Sequence, residues 1–117
     1  MLQQLRKLLD GAKRLVGIED DKLGVMLYPM KRKVASISLK TKTIKLNREI
    51  ALKLDEESLR YLLVHELIHF KLRTLSHDDK FWKELERIYP LDKVREIEYR
   101  IINSAQKELN IPTNWLS

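Results

Sequence analysis

The chain of 117 residues contains no cysteine, has a formal net charge of +6, and is 44% hydrophobic and 34% charged. This length and hydrophobic content predict one folded domain over residues 1–117 and argue against wholesale disorder. Without cysteine, disulfides and thiolate ligands are excluded, so a bound metal would need histidine or carboxylate ligands. No apolar run is long enough to span a membrane and the N-terminus lacks a signal-peptide pattern, so we expect a cytoplasmic protein.

The first segment of the chain has the pattern of an amphipathic helix. Apolar residues recur at helical spacing from Leu2 to Val16, and Gly17 follows where such a helix would end. We expect this stripe to pack on the protein's own core. Self-association through amphipathic helices, in a metal-binding regulator, is a further hypothesis.

Three short segments then have β-strand patterns. They are residues 25–28, a segment beginning near Val34, and residues 43–46. Only Thr41 and Lys42 separate the last two, a spacing that suits a hairpin. We therefore expect a small, three-stranded, mainly antiparallel sheet.

The second half of the chain is predicted to be helical. Asp55 is a candidate N-cap for a helix reaching about Leu75, and residues 76–79 resemble a capping box opening a second helix that ends near Ile88. A third helix is expected over residues 92–109. The order of elements argues for an α+β fold with an N-terminal helix, a three-stranded sheet, a central helix and two further C-terminal helices.

The central helix contains the pattern HExxH, from His65 to His69. Histidines four residues apart project from one face of a helix, so both imidazoles can bind one zinc ion. Glu66 follows the first histidine and is predicted to be the catalytic base, taking a proton from the water that zinc activates. Residues 61–72 are almost all apolar, so this helix should be buried. Buried histidine and glutamate side chains need partners, and a zinc ion would provide one.

A third protein ligand is expected to complete the site. His77 is the only other histidine, and it falls at the predicted start of the next helix, where the helix dipole disfavours protonation. We therefore predict that His65, His69 and His77 bind Zn²⁺. Glu84 lies near the same helix face as His77 and is the alternative third ligand. Other carboxylates, expected at the solvated surface, are Glu86, Glu96 and Glu98.

Residues 43–50, followed by the HExxH segment, resemble small zinc peptidases that include the archaeal minigluzincins and the SprT-like and WLM-type proteins. The segment from His77 to Trp82 is similar to the histidine-x-x-x-aromatic segment of the SprT-like group, which implies that His77 is the third ligand. Minigluzincins imply a glutamate instead, so Glu84 stays open. The resemblance covers about residues 43–84. It implies a zinc-dependent endopeptidase that hydrolyses peptide bonds in a peptide or protein substrate.

The resemblance also implies a substrate position and a form of regulation. An edge strand lies above the cleft in such proteins, and Thr43–Asn47 would pair with the substrate as an added strand. Minigluzincins are held inactive by their own C-terminal segment. Trp115 and Leu116, in the tail 110–117, are therefore expected to occupy the cleft of a latent zymogen.

The basic composition supports a hypothesis from another class. A nucleic-acid-binding domain with a structural or absent metal would also carry excess lysine and arginine. However, only residues 31–33 form a tight basic cluster, and no aromatic residues are interleaved there. A peptidase that acts on DNA-bound proteins, as SprT-like relatives do, would combine the two activities.

Overall fold

The computed structural model describes residues 2–109. The elements in chain order are α1 (Leu2–Val16), β1 (Gly24–Tyr28), β2 (Ala35–Ser38), β3 (Thr43–Asn47), α2 (Arg48–Ala51), α3 (Glu56–Leu72), α4 (Asp79–Ile88) and α5 (Leu91–Leu109). This order confirms the predicted α+β fold. The tail 110–117, with Trp115 and Leu116, lies outside the described residues. Across the part of the chain that the structure describes, no helix is long and apolar enough to cross a membrane.

The sheet is mixed, with strand order β1-β3-β2. Strands β2 and β3 form the predicted antiparallel hairpin, whereas β1 and β3 pair in parallel. The expectation of a mainly antiparallel sheet is therefore correct for the hairpin alone. The difference arises because the loop between Tyr28 and Ala35 leaves space for one strand between β1 and β2. The hairpin then places β3 in that space, where it runs parallel to β1.

This topology makes β3 the central strand. Ile44 and Leu46 of β3 are fully buried, and both edges of the strand are hydrogen-bonded to neighbours. The expectation that Thr43–Asn47 is an open edge strand is therefore wrong. Helix α1 packs against β1 and helix α3 packs against β2. Of the two edge strands, β1 and β2, the one next to α3 is therefore β2.

Helix α3 is the core helix of the fold. It begins at the predicted cap, because an Asp55 carboxylate oxygen accepts a hydrogen bond from the Ser58 backbone N–H at 2.7 Å. It ends three residues earlier than predicted, at Leu72, where Arg73 adopts a left-handed conformation with φ 56°. All residues from Tyr61 to Phe70 are buried, because α3 contacts α1, β2, α4 and α5.

Helix α4 begins later than the capping-box pattern predicted. The side chain of Asp78, and not that of Ser76, accepts hydrogen bonds from the backbone N–H groups of Lys80 and Phe81, at 3.1 and 3.2 Å. Since Asp78 is the N-cap, His77 precedes the helix instead of lying in its first turn. His77 lies in the connection from Arg73 to Asp78, next to the C-terminal end of α3.

A buried asparagine links the sheet to the following helix. Asn47 is fully buried, and its side-chain oxygen accepts from the backbone N–H groups of Glu49 and Ile50 at the start of α2. Its amide nitrogen donates to the carbonyl oxygens of Met30 and Lys33, at 2.9 and 2.8 Å. One side chain thus caps a short helix that sequence patterns did not indicate and fixes the loop that precedes β2.

Candidate metal centre

Three histidines meet at the end of α3. His65 and His69 lie on α3 and His77 on the connection to α4, and one nitrogen from each lies within 4.8 Å of the others. His65 and His69 are 2% and 0% exposed, whereas His77 is exposed to solvent. The structure therefore brings the three predicted ligands together, with the cluster buried on the α3 side and open on the His77 side.

The hydrogen bonds of His69 orient its ring for metal binding. Its Nδ1 lies 3.0 Å from the carbonyl oxygen of Thr74, and a carbonyl only accepts, so Nδ1 carries the proton and Nε2 keeps its lone pair. The Nε2 atoms of His69 and His77 are 3.2 Å apart. Two nitrogens bound to one tetrahedral zinc at about 2.0–2.1 Å would be about 3.3 Å apart. This spacing, in a donor set of three imidazoles without thiolates, fits zinc.

A phenylalanine packs against all three imidazoles. The ring centroid of Phe81 lies 4.8 Å from that of His65, 4.7 Å from that of His69 and 4.9 Å from that of His77. Phe81 is fully buried in the first turn of α4, where Asp78 caps the helix. It therefore limits rotation of the three rings. Sequence reasoning did not assign this role, although the spacing between His77 and Phe81 was a signal for it.

The predicted catalytic base lies beside the histidine cluster. Glu66 is fully buried, and its Oε2 atom is 3.2 Å from Nδ1 of His65. When this carboxylate is ionised it only accepts hydrogen bonds, and the contact then requires a proton on Nδ1 of His65 and leaves a lone pair on Nε2. A carboxylate sheltered from bulk water beside an imidazole of the cluster is suited to accept and return a proton.

Glu84, the alternative third ligand, is held in a different network. Its Oε2 atom lies 3.0 Å from Nζ of Lys71 and 3.1 Å from an Nη atom of Arg87. Burial alone would raise the pKa of Glu84, but the hydrogen bonds and charges of these two cations outweigh it and hold the pKa below its usual range. Both cations also donate to carbonyl oxygens at the end of α1, including Val16 at 2.9 Å from Lys71. This arrangement favours His77 over Glu84 as the ligand.

The remaining candidate carboxylates also lie outside the metal-ligand group of the described residues. Glu98 accepts a hydrogen bond from the hydroxyl of Tyr61, a fully buried residue of α3. Glu96 is 3.6 Å from Nζ of Lys93, and Glu86 is exposed on α4. Their expected assignment away from the metal is consistent with these positions.

Two ligands and a base on one buried helix, with a further histidine beyond its end, are typical of HExxH zinc metallopeptidases. The sequence profile of the YgjP-like metallopeptidase domain matches residues 1–99 of this chain. The chain therefore belongs to the YgjP-like metallopeptidase family, and its enzymatic activity is metal-dependent hydrolysis of peptide bonds.

Two solved metallopeptidase structures agree with this assignment, and two further relatives are similar in sequence. The metallopeptidase zymogen abylysin of Pyrococcus abyssi is similar with a TM-score of 0.81 and 36% identity, over 92% of this chain and 99% of that one. The metallopeptidase zymogen jannalysin of Methanocaldococcus jannaschii gives 0.79 and 36%, over 86% and 88%. An uncharacterised protein of Methanocaldococcus jannaschii is 42% identical, over 71% of this chain and 76% of its own length. Another, of Aquifex aeolicus, is 40% identical over 73% and 76%.

The ion network around Glu84 should contribute to stability. We expect Glu84→Gln to lower the free energy of unfolding at neutral pH by about 1–2 kcal/mol, because two cations lose an ionised acceptor. Since the folded-state pKa of Glu84 is lowered, its contribution is present above the unfolded-state pKa and is lost as the pH falls through the folded-state pKa. Urea denaturation of wild type and variant at neutral and acidic pH measures both effects.

The matched control is Glu86→Gln, which makes the same change at an exposed position of α4. It should change the free energy of unfolding by less than about 0.5 kcal/mol. Equal losses from the two variants, or a Glu84→Gln loss that persists unchanged at acidic pH, would contradict this account.

Proposed function

We propose that this protein is a zinc-dependent metalloendopeptidase in which His65, His69 and His77 hold Zn²⁺ and Glu66 is the catalytic base. The convergence of one nitrogen from each histidine within 4.8 Å is the observation that carries this proposal. The buried Glu66 carboxylate next to that cluster supports the choice of base. Family membership favours this function over the nucleic-acid-binding alternative, and no comparison favours self-association.

Bound zinc would supply a Lewis acid that polarises the scissile carbonyl and lowers the pKa of water. Glu66 accepts a proton from the attacking water as the new C–O bond forms at the carbonyl carbon. It then donates this proton to the amine nitrogen as the C–N bond breaks, so one carboxylate serves first as base and then as acid. Because Glu66 is fully buried, bulk water does not compete for the proton between the two steps.

We assign the substrate-pairing role of the relatives' edge strand to β2. The Asn47 N–H donates to the Val34 carbonyl at 2.8 Å, and hydrogen-bonded pairs alternate along an antiparallel ladder. The backbone polar groups of Ala35 and Ile37 consequently point to the open edge. A peptide that adds as an antiparallel strand would use these groups, on the side of the sheet that packs against α3.

The role of Glu66 has a direct test. Glu66→Gln should retain zinc and lower kcat by at least about 100-fold, because it removes the proton carrier and keeps the shape of the side chain. The measurement is hydrolysis of a quenched fluorescent peptide, with zinc content determined on the same samples.

Two further variants serve as controls for this experiment. His65→Ala should lose both zinc and hydrolysis, whereas Glu56→Gln, at an exposed position in the first turn of α3, should keep both. Wild-type turnover by Glu66→Gln would refute the assigned mechanism.

We also propose that the tail 110–117, through Trp115 and Leu116, keeps the enzyme latent. Two structurally similar proteins are metallopeptidase zymogens, which supports latency in this chain. Truncation after Asn110 should raise the rate of peptide hydrolysis by at least about tenfold, because an apolar segment no longer competes with substrate. Trp115→Ala should raise it in the same direction. Equal rates for full-length and truncated protein would disprove latency through this tail.

A further inference from the structure

Three consecutive cations stand at the start of the open edge strand. Lys31, Arg32 and Lys33 are all exposed, and they immediately precede buried Val34 and strand β2. None of them takes part in the ion pairs found among residues 2–109. Within residues 2–109, their charges are therefore not neutralised by an ion pair.

The backbone that carries these cations is fixed. The buried Asn47 side chain donates to the carbonyl oxygens of Met30 and Lys33, on either side of the cluster. The Asn47 backbone N–H also bonds to the Val34 carbonyl. Three hydrogen bonds from one central-strand residue thus hold a short loop, so little backbone entropy is lost when a partner binds.

Two other cations near the sheet already have partners. Nζ of Lys42, in the hairpin at the far end of β2, lies 2.7 Å from a carboxylate oxygen of Asp20. Nζ of Lys45, on the outer face of β3, lies 4.5 Å above the ring of Tyr28. Lys40 is the exposed cation left near the far end of β2. Positive charge along this edge is therefore concentrated at the beginning of the strand.

We propose that Lys31, Arg32 and Lys33 select substrates with acidic side chains on the C-terminal side of the peptide segment that pairs with β2. An antiparallel added strand places its C-terminal residues beside the start of β2, where the three cations lie. This inference rests on the proposed peptidase function and on β2 as the docking edge. It names the substrate class of the site as acidic peptides.

The test uses full-length Trp115→Ala/Glu66→Gln protein loaded with zinc. The first substitution removes the proposed competition from the tail, and the second lets peptides bind without being cleaved. Fluorescein-labelled peptides share one apolar centre and carry a run of glutamates at the C-terminal end, the same run at the N-terminal end, or glutamines in place of the C-terminal run. Fluorescence anisotropy gives each Kd. The C-terminal glutamate peptide should bind about five- to tenfold more tightly than the other two, and the difference should shrink as salt is added.

Charge reversal identifies the cations responsible. Lys31→Glu/Arg32→Glu should abolish the preference for C-terminal glutamates. The control Arg6→Glu/Lys7→Glu makes the same change in net charge at exposed positions of α1, the helix that packs on the opposite edge strand, and should keep the preference. Thermal melts of both variants verify that they fold.

The possible failures are distinguishable. Equal binding of the three peptides, tighter binding of the N-terminal glutamate peptide, or loss of preference in both double variants would overturn this inference. Displacement of the acidic peptide by a short single-stranded oligonucleotide at lower concentration than by unlabelled peptide would also overturn it, in favour of a nucleic-acid surface. The proposed function is tested separately, because Trp115→Ala protein that retains Glu66 must hydrolyse the glutamine peptide, the glutamate peptide or both.

Discussion

The fold must provide hydrogen-bond partners for the polar side chains that are buried on helix α3. His65, Glu66 and His69 are together almost completely inaccessible to solvent, in a helix surrounded by apolar contacts. Polar groups in such positions cost about 1–3 kcal/mol each when they lack partners. His65 and Glu66 are partners of each other within α3, and one short connection places the Thr74 carbonyl and the His77 ring against His69.

The position of that connection depends in turn on where α4 lies. Asp78 begins the helix, and Phe81 in its first turn packs against all three imidazoles. Further along α4, Glu84 binds Lys71 of α3 and Arg87, and both cations donate to the last carbonyls of α1. This network places positive charge at the negative end of the α1 dipole. It ties α1, α3 and α4 together.

Much of the site was predictable because its signals are local in sequence. The spacing of His65 and His69 on one helix fixes their relative position, whatever the rest of the fold does. The predicted end of α1 also agrees with the structure, because Gly17 has φ 89° and bonds back to the Lys13 carbonyl at 2.8 Å. His77 was found by elimination and resemblance, and its assignment as a ligand stays a prediction.

The parts that sequence patterns missed are set by contacts between distant residues. The alternating pattern of β3 predicts a strand but cannot distinguish a central position from an edge, because pairing order depends on the path of the loop before β2. Ser76 and Asp78 are both good N-caps, and packing of Phe81 against the histidines favours the later one. Glu84 has the spacing of a ligand, but the cations that bind it come from α3 and from its own helix.

The central claim is that three histidines, and no glutamate, hold one zinc ion. The most direct test is the zinc content per chain, measured by plasma mass spectrometry, of wild type, His77→Ala and Glu84→Ala after incubation with zinc and removal of the excess. The account predicts about one zinc per chain in wild type and Glu84→Ala and little in His77→Ala, because only His77 completes the ligand set. Zinc retained by His77→Ala and lost from Glu84→Ala, or no zinc in wild type, would contradict it.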